Sequence, residues 1–194
     1  SISDATFDSC ESLKSIVIPG KVASIGAAAF YGCTNLESVV ISEGVTSIGD
    51  GAFSWCESLK NVVIPDSVTN IELGAFSYCK SLESIKLSEK LTSISDDMLE
   101  ECVSLESIVI PDSVTSIGDY AFYTCSNLES IVIGAGVTYI GDYAFHNCDS
   151  LNSIVVNENN STYSSSGNCF INTEAKTLLF GFDNNKNESI DLSV

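Results

Sequence analysis

Apolar residues return along this chain at offsets that repeat every 23 positions. Cysteines at 10, 33, 56, 79, 102, 125 and 148 mark the period. Three residues beyond each cysteine stands a leucine, from Leu13 to Leu151. Six and eight residues beyond it stand paired aliphatics: Ile16 and Ile18, Val39 and Ile41, Val62 and Ile64, and so on to Ile154 and Val156. An apolar residue at every second position is the mark of a strand with one buried face. Self-similarity at a fixed period of this length predicts a solenoid, in which each unit stacks on the next.

Pro19, Pro65 and Pro111 follow the strand and suit its exit, because proline has no N–H to give a ladder. A second apolar pair comes next, Val22 with Ile25 and Val114 with Ile117 being examples. Glycine follows the isoleucine at 26, 49, 118 and 141, where a turn of positive φ is expected. Asp50, Asp96, Asp119 and Asp142 then precede Phe or Leu by three residues and are read as N-caps of one helical turn carrying Ala-Phe-x-x-Cys. Phe30, Phe53, Phe76, Phe122 and Phe145 are expected to form a continuous spine beside the cysteines. One unit alone buries too little apolar surface to offset the entropy of ordering it, so stacking must supply the second buried face.

The pattern departs from itself twice. The unit around Cys102 has Met98-Leu99 for Ala-Phe, and Lys86 stands where its neighbours have an outward valine. After Val156 the register dissolves into an Asn- and Ser-rich run; residues 168–171 and 177–180 read as two strands of a hairpin, and Ile190-Asp-Leu192 resumes the strand phrase. The expected organisation is an array over 1–156 and an irregular, hairpin-bearing repeat over 157–194. Because the chain starts and stops within units, a fragment of a longer array is expected.

Composition narrows the function. A formal charge of −18 with only 8 basic residues argues against nucleic acid and anionic lipid as partners. No apolar run reaches the ~18–20 residues needed to span a bilayer, so no membrane insertion is expected. Stacked cysteines point the same way in successive coils, a poor start for disulfides, and are expected to be buried free thiols; Cys169, outside the series, is the expected reactive one. Their spacing offers no zinc site, and the repeated aspartates offer too few oxygens for calcium. His146 occupies a variable position and reads as a surface residue; no nucleophile elbow is present, and neither enzyme chemistry nor a cofactor is expected. Asn159, Asn160 and Asn187 open Asn-x-Ser/Thr triplets, glycan sites in a secreted eukaryotic protein and incidental in a bacterial one.

The phrase Cys-x-x-Leu-x-x-Ile-x-Ile-Pro-x-x-Val-x-x-Ile-Gly-x-x-Ala-Phe-x-x-Cys, read over residues 2–156, resembles the units of the BspA-like (Treponema pallidum-type) leucine-rich repeats. Residues 163–180 look like that family's irregular hairpin repeat. The resemblance implies a right-handed, curved leucine-rich-repeat solenoid of the β-rich α/β horseshoe type, with one strand and a short helical turn per repeat. It further implies a secreted or cell-surface protein of bacteria or protists that adheres to host matrix or cell-surface proteins. A structural spacer projecting another domain is the alternative, and glycan binding through surface aromatics ranks third. By the period of two, Val17, Val40, Val63, Lys86, Val109, Val132 and Val155 face outward beside an acidic margin of Glu37, Glu83, Glu106 and Glu129, and form the expected partner-binding stripe.

Overall fold

The structure, a computed structural model, describes residues 1–166, 169–173 and 177–181. Its body is a parallel β-solenoid in which each cysteine marks one coil. The strands that follow Leu-x are β1 (Ser15–Ile18), β3 (Ser38–Ile41), β5 (Asn61–Val63), β7 (Ser84–Lys86), β9 (Ser107–Val109), β11 (Ser130–Ile133) and β13 (Ser153–Val156). Between them lie two-residue strands at the second apolar pair: β2 (Ser24–Ile25), β4 (Ser47–Ile48), β6 (Asn70–Ile71), β8 (Ser93–Ile94), β10 (Ser116–Ile117) and β12 (Tyr139–Ile140). Except between β7 and β9, each longer strand pairs in parallel with its counterpart in the next coil, Ile16 opposite Val39 and Ile131 opposite Ile154. The inward members are buried and those between them are exposed, as in Ser38–Ile41.

The pairing has two lapses. One sheet runs β1-β3-β5-β7 and another β9-β11-β13; on the second side, β2-β4-β6 and β8-β10-β12 form separate sheets. Among the described residues no ladder pair joins β7 to β9 or β6 to β8. Both gaps flank the coil that carries Lys86, Met98 and Leu99.

The Ala-Phe-x-x-Cys segment is not a helical turn, and no helix is found among the described residues. Its amides alternate between two kinds of partner. The N–H groups of Ala28, Phe30 and Gly32 reach forward to the carbonyls of Asp50, Ala52 and Ser54 in the next coil, at 2.7–2.9 Å. Those of Ala29, Tyr31 and Cys33 close tight turns on Gly26, Ala28 and Phe30. Half the donors are thus committed along the solenoid axis, which leaves no i→i−4 ladder for a helix. This third ladder crosses the irregular coil unbroken: Phe76 donates to Met98 and Leu99 donates to Ala121.

The aspartates are therefore not N-caps either. Asp4, Asp50, Asp96 and Asp119 each accept, through Oδ1, the backbone N–H of the matching residue one coil on (Ala27, Leu73, Asp119 and Asp142) at 2.8–3.1 Å. A second carboxylate series does the same on the opposite corner, where Asp66 receives Glu89 N–H and Asp112 receives Ala135 N–H. The glycines after isoleucine also serve another purpose. Their φ values are ordinary, but a Cβ at Gly118 would lie 2.3 Å from Asp96 Oδ1 and 2.6 Å from its backbone N. Close approach of coils excludes the side chain there.

Inside, the phenylalanines stack at 5.0–5.3 Å from Phe7 through Phe30 and Phe53 to Phe76, and again at 5.5 Å between Phe122 and Phe145. The spine is not continuous: Leu99 fills its place in the irregular coil, where Met98 supplies the missing bulk. Beyond the array, β14 (Tyr163–Ser166), β15 (Cys169–Asn172) and β16 (Thr177–Gly181) form an antiparallel meander, one strand more than the hairpin expected. The serine-rich β14 lacks the apolar alternation that would have announced it. Asn160 ties this segment to the array by donating to Gly134 and Val137 carbonyls and accepting from Thr162 and Tyr163 amides. Its side chain is thereby engaged, whereas Asn159 is exposed. The strand phrase expected at 190–192 and the triplet at Asn187 lie outside the described residues.

Candidate binding faces

Three ladders give the solenoid three long faces. On the face of the longer strands, Val17, Val40, Val63, Val109 and Val155 are all more than half exposed. Lys86 is exposed among them, and Val132 is partly covered. Parallel register aligns them into one row: Val17 opposite Val40, Val63 opposite Lys86, Val132 between Val109 and Val155. Glu37, Glu83, Glu106 and Glu129 are exposed along one margin. The expected stripe thus lies on one face in two runs, Val17 to Lys86 and Val109 to Val155, with no ladder pair between them.

The cysteines are free and, from Cys33 to Cys148, buried. Each buried thiol donates to a carbonyl of the preceding coil, Cys56 to Phe30 and Cys148 to Phe122, both at 3.2 Å. Desolvation pushes the thiols of Cys79 and Cys148 up to about 12, and that of Cys102 well above its ordinary value. A thiolate is the nucleophile and the metal ligand, so this series is chemically silent near neutral pH. Among the described residues no cluster of His, Cys, Asp or Glu could hold a metal ion.

The third face, formed by the Ala-Phe-x-x-Cys turns, holds what the sequence pattern had not joined. Two positions in every coil take positive φ, five residues and one residue before the cysteine. Glycine occupies them at Gly32, Gly51 and Gly74, but Trp55, Tyr78, Tyr120 and Tyr143 hold them with φ of 54–62°. A bulky residue in this region costs about 1–2 kcal/mol relative to a relaxed backbone. Each such ring stacks on its counterpart one coil away: Trp55 on Tyr78 at 4.4 Å, Tyr120 on Tyr143 at 5.2 Å. Tyr123 and His146 stack beside the second pair at 5.7 Å. Judged across the repeat these residues sit at differing offsets; judged one offset at a time, the pairing is readable in the sequence. Between the two aromatic groups lies the coil of Asp96, Asp97, Glu100 and Glu101.

A family model of the BspA type leucine rich repeat region, in six copies, matches residues 1–129 and 115–192. The chain belongs to the BspA-type leucine-rich repeats. Among solved structures, this BspA-type chain is similar to a leucine rich cell surface protein of Faecalibacterium prausnitzii A2-165, with 37% identity and a TM-score of 0.80. That match covers 88% of this chain and 45% of the other, so the chain spans less than half of that relative's length. It is similar also to the T. pallidum leucine rich repeat protein, with 33% identity and a TM-score of 0.71 over 73% of this chain and 69% of that one. A leucine-rich repeat protein from Eubacterium ventriosum shares 26% identity at a TM-score of 0.70, over 84% of this chain and 45% of its own. No curated protein matches this BspA-type sequence.

Proposed function

We propose that this chain is a non-enzymatic protein-binding module of the cell surface or of a secreted protein, and that it adheres through the valine stripe to a host matrix or cell-surface protein. The observation that carries this reading is an exposed row of valines, interrupted by Lys86 and held in register by two successive parallel sheets. Contiguous exposed apolar surface commonly marks an interaction site, and a rigid sheet presents it without further ordering cost. The acidic margin restricts partners by charge. The cell-surface description of the Faecalibacterium relative supports the location.

The test is a binding screen of the protein against matrix proteins and intact host cells, repeated with Val63→Glu/Val109→Glu, which plants a carboxylate on each side of Lys86. Binding is expected to fall at least about tenfold, because each buried charge in an apolar contact costs more than 1 kcal/mol. The thermal transition should hardly move, since both side chains point outward. Unchanged binding in the double variant, with loss on altering residues 163–173, would leave the stripe a purely structural feature. Absence of any binding in the screen would favour a spacer that carries another domain.

A further inference from the structure

We propose that the turn face around Tyr120 and Tyr143 is a second recognition surface, which takes lysine and arginine side chains of a basic protein segment. It lies on a different face from the valine stripe and does not depend on it. Tyr120, Tyr123, Tyr143 and His146 form a two-by-two block of rings: stacked pairs along the axis at 5.2 and 5.7 Å, edge contacts across it at 5.5 and 5.4 Å. Tyr120 is 39% and Tyr143 56% exposed, so the block is not part of the core. Both hold a left-handed backbone that sister coils give to Gly51 and Gly74, so the turn itself has no need of a ring there.

Charge decides what such a surface would hold. The chain has no lysine or arginine between Lys90 and Lys176, while carboxylates recur in every coil of that stretch. Burial raises the Tyr120 phenol, with repulsion from Tyr143, Asp119 and Asp142 adding to it, and burial followed by repulsion from neighbouring carboxylates raises Asp97 and Glu100 in the adjoining coil. A cation placed on the rings relieves that repulsion and meets the negative ring faces as well. The chain shows the same chemistry once in its own favour: Lys80 Nζ lies 5.3 Å from the Trp55 ring centroid and 2.8 Å from Glu57 Oε1. The residues that follow the cysteine in the coils of the tyrosine block, where Lys80 stands in its own coil, are Ser126 and Asp149, and neither is a cation. The carboxylates do not converge on a metal site among the described residues. A sugar would stack on a ring but leave the repulsion in place.

The experiment is fluorescence anisotropy of labelled octa-arginine and octa-lysine peptides at near-physiological salt, with octa-glutamate and maltoheptaose as comparison probes. The basic peptides are expected to bind and the others not. Tyr120→Ala/Tyr143→Ala, which leaves net charge unchanged, should weaken binding about fivefold or more, the loss of two exposed cation–π contacts. Tyr120→Phe/Tyr143→Phe should retain binding, and so should Val63→Glu/Val109→Glu, which separates this surface from the stripe. The alanine variant is expected to fold, because Ala28 already occupies the same backbone conformation; its melting curve checks this. Equal binding by a folded alanine variant would reduce the effect to diffuse attraction and overturn the proposal. So would binding of maltoheptaose in place of the peptides, or failure of every probe.

Discussion

At the residue scale the cysteine is the informative side chain. It is small, apolar enough for the core, and carries one hydrogen that meets a carbonyl of the preceding coil. Burial raises the folded thiol above the 9.0 of a free one, to about 12 for Cys79. The folded state then holds its protons more tightly than the unfolded chain. That stability is complete below pH ~9 and is lost as pH rises towards 12, at about 1.4 kcal/mol per pH unit for each such thiol. The expected outcome is a melting temperature that drops steeply above pH 9, and less steeply in Cys79→Val. A flat profile to pH 11 would contradict the assigned burial. Mild alkylation of the native protein should modify Cys10 and Cys169, which are partly exposed, and spare the other six until unfolding.

Elements were legible in the sequence to the extent that they rest on alternation. Ile108 and Ile110 buried with Val109 exposed between them is the reading the period of two demands. The turn segment reads as helix because Ala-Phe-x-x-Cys after an aspartate has helical spacing, while nothing local reveals that alternate amides belong to the next coil. Left-handed positions were likewise hidden, because Tyr120, Thr124 and Asn147 hold them instead of glycine. The Phe-to-Leu change at 99 was visible, but its consequence for the spine depends on volume shared with Met98. Leu99→Phe alone should crowd that site and cost about 1–3 kcal/mol. Adding Met98→Ala restores the sister pattern and should recover most of the loss, a non-additivity that denaturant titration of the three variants would measure. Phe122→Ala, with no compensating neighbour, is expected to cost roughly 3–5 kcal/mol.

For the whole molecule, the two lapses in strand pairing fall on either side of one coil, whereas the turn ladder passes through it. Amides of β8 and β9 should therefore exchange with solvent faster than those of Leu99 and Glu101, which donate to Ala121 and Tyr123. Equal protection throughout would show that the lapses carry no weaker coupling. The fixed register has a further consequence for heredity. Since side-chain and amide links alike join a residue to its counterpart a period away, the gene can lose a whole period without leaving any surviving coil a new neighbour of the wrong kind. Excising residues 80–102 would splice Cys79 to Val103, remove the coil that interrupts the aromatic spine, and seat Phe122 on Phe76. The shortened protein should fold, span about 4.8 Å less, and melt no lower than its parent. Excising 22 residues instead would leave one residue too many in the junction coil, setting its strand out of register with its neighbour, and should lower the melting temperature. Reach is thus a quantity that such a lineage can adjust in single, uniform steps by unequal recombination.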